Sequence, residues 1–442
     1  MKTLRFAIAA VVIGSVSAFA TNARVESMGK NSTFIMDDIS IFDNPANINL
    51  YPNFLIGELG VYTGPGTETV DAGENHDPWH PWFGGIFSLD IGGGNSLSIA
   101  GVLNRKEERL LRYFPDYLAV KKGASELDYI KMPTPVTNFD GFLGANFNNK
   151  AFGMHIYIAH QDGLDGNNNI NKDAYVSALQ LDLGTNIEIS SNYSLEFAVG
   201  TARLQYGPSD RGLFDGNLFS LFADARMFSK VSAINGHLIP VASFRNMNAA
   251  GRDEMDIGLG MGVDAAFDRG FFWLGLKGFY NVQHAYANWI KDLKDGEVIT
   301  VYYDLGDDKF SPAPRSTLWQ FGGTISFGIE RNIWWDWFVL RVGGQKNIAY
   351  ADYKKGKNND IDRTNNILCP SNYNLNGCES GNYFITNPVN DGTINDNVGF
   401  GFGINVEEKL KIDFTVAEDV VFRNPFQGEG RLMSRVSASY SF

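Results

Sequence analysis

The two cysteines of the chain, Cys369 and Cys378, could form a disulfide or contribute to a metal site. They lie in a polar stretch with no further cysteine and no nearby histidine to complete a coordination shell. In an exported protein this spacing favours one bond that closes a loop. We therefore predict a Cys369–Cys378 disulfide and no metal site.

Other residue types that could support catalysis do not form a recognisable motif. The histidines make no HExxH pair, and the sequence has no Gly-x-Ser-x-Gly elbow. Gly-x-Gly-x-Gly occurs at 258–262 and 399–403, but within alternating segments rather than at a turn that opens a helix. The segment 162–173 is rich in oxygen ligands but does not fit the EF-hand register, so we interpret it as a solvated loop and leave calcium binding there open. We predict no enzymatic activity and no cofactor.

The first twenty residues have the order of a secretory signal. Lys2 and Arg5 precede an uncharged run, which Ala18-Phe19-Ala20 follows, and we predict cleavage after Ala20. A membrane anchor helix is the alternative, but the run is shorter than the ~20 residues needed to cross hydrocarbon. No later stretch has 18 or more consecutive apolar residues, so any membrane insertion must use strands. The net charge of −13 argues against a nucleic-acid partner.

Segments of about ten residues alternate between apolar and small or polar side chains. Between Met255 and Phe267 the odd positions are apolar, whereas the even ones are Gly, Asp or Ala. The pattern recurs at 152–159, 175–188, 319–330, 398–406 and 432–442. A soluble β-sandwich also alternates. The segment lengths, the glycines on the polar faces and the alternation of short with long connections favour a transmembrane barrel.

Seven short turns and eight long loops divide the chain into sixteen candidate strands. Aromatic residues make up 13% of the chain, and clusters of them at segment ends fit interfacial girdles. The polar faces also carry charges of both signs, which we expect to pair with each other or with a plug in the lumen. They are Asp182, Glu188, Glu196, Asp224, Arg226, Asp256, Asp264, Lys277, Glu330, Arg341, Asp413, Arg431 and Arg435.

A resemblance to a known family is confined to about 25 residues after the predicted cleavage site. Arg24, Met28-Gly29, Asp37-Asp38 and Asn44-Pro45-Ala46 resemble the opening of OmpP1/FadL-type barrels and the related PorV-type proteins. The sequence departs from that pattern at Lys30-Asn31 and at Asn47.

The resemblance implies an N-terminal hatch inside a barrel of about fourteen strands, with Arg24, Met28, Gly29, Asp37, Asp38, Asn44, Pro45 and Ala46 as hatch positions. With the count of sixteen, the predicted fold is all-β: an antiparallel transmembrane β-barrel of 14–16 strands. We predict a signal peptide at 1–20, a hatch at 21–51 and the barrel at 52–442.

The C-terminal segment alternates to its end, with Tyr440 and Phe442 on its apolar face. An aromatic-ended closing strand resembles the signal that the outer-membrane assembly machinery reads. We expect this strand to pair with the one that follows the Asn44-Pro45-Ala46 turn.

Three functions are consistent with such a barrel in a bacterial outer membrane, surrounded by lipid. The first is a channel or transporter for small hydrophobic molecules. The second is a PorV-like role in protein secretion or surface attachment, with a secreted protein as partner. The third is a structural or adhesive barrel whose long loops form contacts. An apolar pocket between hatch and wall favours the first, whereas a sealed lumen under ordered outer loops favours the second.

Overall fold

The structure is a computed structural model that describes most of the chain. The described residues are 22–29, 32–61, 81–107, 110, 113, 117–122, 126–131, 135, 137–162, 174–208, 219–249, 252–285, 298–302, 316–355, 380–385, 397–407, 409–416 and 433–442. The predicted signal peptide and the predicted Cys369–Cys378 disulfide lie outside these residues.

Strands make up most of the described chain. In the first half they are β1 (Phe54–Val61), β2 (Trp82–Gly92), β3 (Asn95–Leu103), β4 (Tyr117–Lys122), β5 (Glu126–Lys131), β6 (Thr137–Phe147), β7 (Lys150–Asp162), β8 (Ala174–Ser190), β9 (Tyr193–Pro208) and β10 (Phe219–Val231). In the second half they are β11 (Gly236–Ala249), β12 (Arg252–Phe267), β13 (Gly270–Ala285), β14 (Val298–Tyr302), β15 (Ser316–Asn332), β16 (Phe338–Lys355), β17 (Gly381–Ile385), β18 (Asn397–Val406), β19 (Leu410–Val416) and β20 (Met433–Ser441).

A closed antiparallel barrel of sixteen strands confirms the predicted fold class and the upper end of the predicted count. Neighbouring barrel strands pair in chain order, and β20 pairs with β1, with Tyr440 opposite Leu55. The expected pairing of the last strand with the strand after the Asn44-Pro45-Ala46 turn is therefore confirmed. Closure gives each barrel strand a hydrogen-bonded neighbour on both sides, so the described wall has no open edge.

Four further strands lie within the long connections, where the sequence predicts loops. β4, β5 and β14 form a separate three-stranded sheet that joins the connections following β3 and β13. β17 and β18 both pair with β16, with Ile385 opposite Ala349 and Asn397 opposite Gln345. They therefore share one position in the barrel wall.

Side chains on each barrel strand alternate between the lumen and the outside, as the sequence pattern predicts. On β12, Ile257, Leu259 and Met261 are 40–66% exposed, whereas Asp256 and Asp264 are buried. Short connections join the seven pairs of consecutive barrel strands that the sequence predicts, one example being the turn between β12 and β13. The turn predicted at Ser229-Lys230 is misplaced, since these residues belong to β10 and the chain reverses at 232–235. The outward face is thus a broad apolar surface of the kind that faces hydrocarbon.

The segment before β1 contains the described helices of the hatch. They are the α-helix α1 (Asn22–Ser27) and two 3-10 helices, η1 (Asp38–Phe42) and η2 (Pro45–Leu50), and a third 3-10 helix (Ser232–Ile234) joins β10 to β11. Most side chains of the segment before β1 are buried. Among the described residues, no helix has the length and apolar character needed to cross a membrane.

Candidate functional site

The candidate site is the described part of the predicted hatch, residues 22–29 and 32–51, together with the luminal residues that hold it. Its wall contacts lie near the end of the barrel where the short turns are found. Glu330 is two residues from the end of β15, and Gly153 is three residues from the start of β7. The hatch therefore occupies the turn end of the lumen.

Glycines on the luminal face let the backbone of α1 come close to the wall. A Cβ atom at Gly399 would lie 2.1 Å from the Glu26 carbonyl oxygen, and one at Gly343 would lie 2.4 Å from the Met28 carbonyl carbon. Real Cβ atoms do not approach other atoms this closely, so a larger residue at either position would displace the helix. The Gly-x-Gly-x-Gly motif at 399–403 thus forms part of the wall surface against which α1 packs.

Arg24 anchors α1 through a buried network of four charges. Its Nε donates to Glu330 Oε2 and its Nη2 donates to Glu330 Oε1, both over 2.8 Å. Arg341 Nε donates to the same Glu330 Oε2 over 3.1 Å, and its Nη1 donates to Asp413 Oδ1 over 2.6 Å. Two positive and two negative groups therefore neutralise each other, which buried charges require.

A second ion-pair network lies on the other side of α1. Arg435 Nε is 2.9 Å from Glu26 Oε2, and Arg435 Nη1 is 3.2 Å from Glu58 Oε1. The Ala23 carbonyl accepts from Thr415 Oγ1 over 2.7 Å. These contacts link α1 to β1, β19 and β20, which are the strands that close the barrel.

The Asn44-Pro45-Ala46 turn docks against β7 and β8. Asn44 caps η2 by accepting a hydrogen bond from the Ala46 amide over 3.1 Å, and its Nδ2 donates to the Thr185 carbonyl over 3.2 Å. Pro45 occupies the first position of η2, where its missing N–H removes no helical bond. A Cβ atom at Gly153 would lie 2.2 Å from the Pro45 carbonyl oxygen, so this glycine is needed for the close approach.

Apolar side chains fill two spaces between hatch and wall. Around Phe34, Met28 and Ile35 pack with Ile239 and Trp273, and the rings of Phe34 and Trp273 lie 6.2 Å apart. A larger cluster contains Ile41, Phe42, Ile48, Tyr51, Phe54, Ile56, Trp82, Ile86, Ala100, Val102 and Phe142. The luminal wall therefore meets the hatch through two apolar clusters as well as through the ion-pair networks, whereas the interior of a water-filled porin is polar throughout.

Asp37 and Asp38 are fully buried, and their four carboxylate oxygens have no hydrogen-bond partner among the described residues. Burial raises the pKa of Asp37 to about 7, although the nearby charge of Arg24 opposes the rise. Burial also raises the pKa of Asp38 well above its usual range, and the charge of Asp37 adds to this effect. The docked hatch therefore favours protonated carboxyl groups at this pair.

The connection that follows β3 turns into the lumen and covers part of the hatch. Arg105 stacks over the ring of Phe42, 3.9 Å from its centroid, and its Nη2 donates to Asp140 Oδ1 over 2.6 Å. His155 lies between two carboxylates, with Nε2 2.9 Å from Asp140 Oδ1 and Nδ1 2.5 Å from Asp182 Oδ2. Loop, hatch and wall are thus joined by one polar cluster.

All eight hatch positions implied by the resemblance lie inside the lumen, but they do not form one cluster. Arg24, Met28 and Gly29 contact the wall near β15, β16 and β18, whereas Asn44 and Pro45 contact β7 and β8. Among the charges predicted to line the lumen, Glu330, Arg341 and Asp413 bind Arg24 or each other, Arg435 binds Glu26 and Glu58, and Arg226 pairs with Glu196.

Some functional contacts were not predicted from the sequence, among them those of Arg105 and of the seating glycines Gly153 and Gly343. The sequence does indicate where these glycines lie, because each occupies a luminal position of an alternating strand, where a missing side chain leaves room for the hatch. No local pattern identifies the role of Arg105, because Asp140 lies 35 positions away and Phe42 belongs to the hatch.

Tyr440 and Phe442, the predicted assembly signal, lie on the outer face of the closing strand. Phe442 is 52% exposed, and its ring lies 5.8 Å from that of Phe87 and 6.4 Å from that of Tyr440. The Phe442 amide donates to the Asn53 carbonyl over 3.0 Å. This hydrogen bond holds Phe442 beside the start of β1.

Comparison with known proteins yields structural likenesses at low sequence identity. No protein-family model matches the sequence, and no curated protein matches it. The Pseudomonas putida toluene transporter TodX is 10% identical with a TM-score of 0.37, covering 97% of this chain and 100% of that one. The monoaromatic hydrocarbon channel CymD is 10% identical with a TM-score of 0.34, covering 96% and 99%. CdiB from Escherichia coli is 9% identical with a TM-score of 0.39, covering 88% and 63%.

Proposed function

We propose that this chain is an outer-membrane barrel of the FadL type that lets small hydrophobic molecules cross, and that its hatch must move for them to pass. The observation that carries the proposal is the apolar interface between hatch and wall. Trp82, Ile86, Phe142, Ile239 and Trp273 present apolar surface to the lumen at the level of the hatch. A channel for polar solutes is lined by polar residues instead.

The outer surface supports placement in a membrane. Large apolar side chains are exposed on nearly every barrel strand, and a contiguous apolar surface of this extent marks a site of contact with other molecules or with a membrane. The exposed tryptophans Trp334, Trp335 and Trp337 follow β15 at a short turn, where an interfacial girdle is expected. Because short turns face the periplasm in such barrels, the hatch would close the periplasmic end.

The way the hatch is held is compatible with movement. Among the described residues no strand pairing joins the hatch to the wall, which it contacts through ion pairs, side-chain hydrogen bonds and apolar packing. Such contacts can be exchanged for contacts with water or with a passing molecule without opening the barrel. The wall, in contrast, is a continuous hydrogen-bonded ladder that stays intact.

Flux through liposomes tests this function. We expect the purified barrel to pass small aromatic molecules or fatty acids, and to pass polar sugars of similar size more slowly. A barrel that passes none of these, while secreted proteins copurify with it, would refute the transport proposal.

A second function is favoured by one observation, the connection after β3 that enters the lumen. Arg105, Glu107 and Tyr113 are buried, and Tyr113 donates to Glu254 over 2.7 Å. The sheet formed by β4, β5 and β14 gives further ordered structure to the long connections, which a docking role in protein secretion or surface attachment would use. Copurification of a secreted protein that is lost when β4 and β5 are deleted would support it.

A further inference from the structure

Part of the connection that follows β3 lies inside the lumen, on the side of the hatch that is distant from the short turns. We call this part the crossing segment, and its described residues are 104–107, 110 and 113. Four of its side chains are buried, namely Arg105, Glu107, Leu110 and Tyr113. The crossing segment is therefore packed within the barrel and is not a loop that lies over its mouth.

The two ends of the crossing segment are bound to different sides of the wall. Arg105 binds Asp140, the fourth residue of β6, and Tyr113 donates to Glu254 Oε2, on the third residue of β12, over 2.7 Å. Five strands, β7 to β11, lie between β6 and β12 along the shorter way round the ring. With ~4.8 Å between strands and a tilt of ~40°, this separation is roughly 30 Å across a circular lumen. The crossing segment therefore spans the lumen near the end that is distant from the short turns.

The same connection is joined to the far side of the barrel a second time, by backbone pairing. Its strand β4 pairs with β14, which belongs to the connection after β13, with Val298 opposite Lys121. β13 lies opposite β3 in the ring, with seven wall positions between them on each side. The chain therefore links opposite sides of the wall twice, once through the crossing segment and once through this sheet.

Arg105 is the residue at which the crossing segment, the wall and the hatch meet. Its Nε and Nη2 donate to the two oxygens of Asp140 over 3.0 and 2.6 Å, and its Nη1 donates to Glu107 Oε2 over 3.0 Å. These bonds leave one face of the planar guanidinium to cover the Phe42 ring of the hatch, 3.9 Å from its centroid. Such a stack is strong when both partners are desolvated, and both are buried here. Movement of either the crossing segment or the hatch therefore breaks the same contact.

We propose that Arg105 couples the crossing segment to the hatch, so that undocking of either one weakens the hold on the other. The inference rests on the proposed function in one respect, since it takes the hatch to be a part that moves. A molecule that enters from the end distant from the short turns and displaces the crossing segment thereby favours release of the hatch at the opposite end. Coupling between two equilibria is reciprocal, so it can be measured from either side.

Two buried positions report on the two parts separately. A maleimide labels a cysteine at Leu110 when the crossing segment undocks and a cysteine at Ser27 when the hatch undocks, and these residues are 2% and 0% exposed in the docked barrel. Cys369→Ser and Cys378→Ser remove the native thiols, and heat-modifiable migration on gels reports whether each full-length variant has folded. Tyr113→Phe removes the bond to Glu254 and should raise the labelling rate of Leu110→Cys about tenfold or more, which calibrates that reporter.

Phe42→Leu tests the coupling from the side of the hatch. Leucine keeps an apolar side chain beside Trp82 and Phe142 but has no ring for the guanidinium to cover. We expect the labelling rate of Leu110→Cys to rise about fivefold or more, although Phe42 is not part of the crossing segment. In the Arg105→Lys background the ammonium group keeps a positive charge beside Asp140 but has no plane to stack. There Phe42→Leu should change the labelling rate of Leu110→Cys less than about twofold.

Arg105→Lys tests the coupling from the other side, since it should raise the labelling rate of Ser27→Cys in the hatch. The factor by which Arg105→Lys and Phe42→Leu depart from independent effects should be the same for both reporters. Phe34→Leu is the matched control, because Phe34 is another fully buried ring of the hatch but packs against Trp273. It should raise the labelling rate of Ser27→Cys and leave that of Leu110→Cys unchanged.

Equal labelling of Leu110→Cys in the Phe42→Leu and Phe34→Leu barrels would overturn the proposal. An effect of Phe42→Leu that persists in full beside Arg105→Lys would overturn it too, because the coupling would then not run through Arg105. Flux through liposomes is a separate measurement. Folded barrels that pass small aromatic molecules without this coupling refute the inference alone, whereas coupled barrels that pass nothing refute the proposed function alone.

Discussion

Removing Glu330 should release the hatch more strongly than removing Arg24, its partner. In the structure Glu330 accepts from both Arg24 and Arg341, whereas Arg24 donates to Glu330 through two nitrogens. Glu330→Gln leaves two buried guanidinium groups facing a neutral amide, with Asp413 as the remaining anion. Arg24→Met leaves Glu330 still bound to Arg341.

The expected magnitudes follow from this difference. An uncompensated buried charge costs about 3–5 kcal/mol, whereas the loss of a hydrogen bond to a charged group costs about 1.5–3 kcal/mol. Because ~1.4 kcal/mol corresponds to a factor of ten, Glu330→Gln should raise the undocked fraction of the hatch about 100- to 4,000-fold and Arg24→Met about 10- to 100-fold. The exposed pair Arg269–Asp336 is the control, and Arg269→Met should change the fraction less than about fivefold.

The assay is the rate at which a maleimide labels a cysteine at Ser27, a fully buried position of α1. Cys369→Ser and Cys378→Ser remove the native thiols, and heat-modifiable migration confirms that each variant barrel has folded. Labelling then follows the undocked fraction, as in exchange through local opening. If Glu330→Gln and Arg269→Met label at the same rate in folded barrels, the Arg24 network does not hold the hatch.

Three further predictions concern the turn, the acidic pair and the terminus. Gly153→Val should raise the Ser27→Cys labelling rate at least tenfold because its side chain collides with Pro45, whereas Gly101→Val, which meets only a ring atom at 3.6 Å, should not. The pKa of Asp37 is raised to about 7 from ~3.9, so its contribution to docking is complete below about pH 4 and is lost as the pH rises through 7. The rate at which the maleimide labels Ser27→Cys, divided by the rate in the urea-denatured chain at the same pH, should therefore rise between pH 5.5 and 8.5. Asp37→Asn should flatten that rise. Deleting Phe442 removes the hydrogen bond to Asn53 and should lower the heat-modifiable fraction in membranes severalfold, with unchanged flux per folded barrel.

The barrel could be predicted from the sequence because its signal is local. Alternation with period two places apolar residues outside, and between Met255 and Phe267 it places small or acidic residues inside. Tight turns such as Asp268-Arg269 then fix which strands are neighbours. The count of sixteen was accurate because each turn joins two strands that are adjacent in the chain.

The contacts of the hatch could not be predicted in the same way, because they join residues far apart in sequence. Arg24 and Glu330 are separated by 306 positions, and no pattern within either segment identifies the other. The alternating pattern predicts that Glu330, Arg341 and Asp413 face the lumen, but their pairing depends on the register of β15, β16, β18 and β19. The strands β4, β5, β14 and β17 were also missed, since they are short and lie within connections that otherwise have the composition of loops.

The central claim, that the hatch must move for molecules to pass, can be tested by fixing α1, the part of the hatch that is farthest from β1 in sequence. The Ala23 amide donates to the Ser437 Oγ atom over 3.3 Å, so we choose cysteines at these two positions as the pair to be joined by a disulfide. The measurement is flux of a small aromatic molecule through liposomes that contain the Ala23→Cys/Ser437→Cys barrel, without its native cysteines, before and after reduction. We predict that the oxidised barrel blocks flux and that a reductant restores it. Equal flux in both states, with the cross-link confirmed by mass spectrometry, would contradict a hatch that must move.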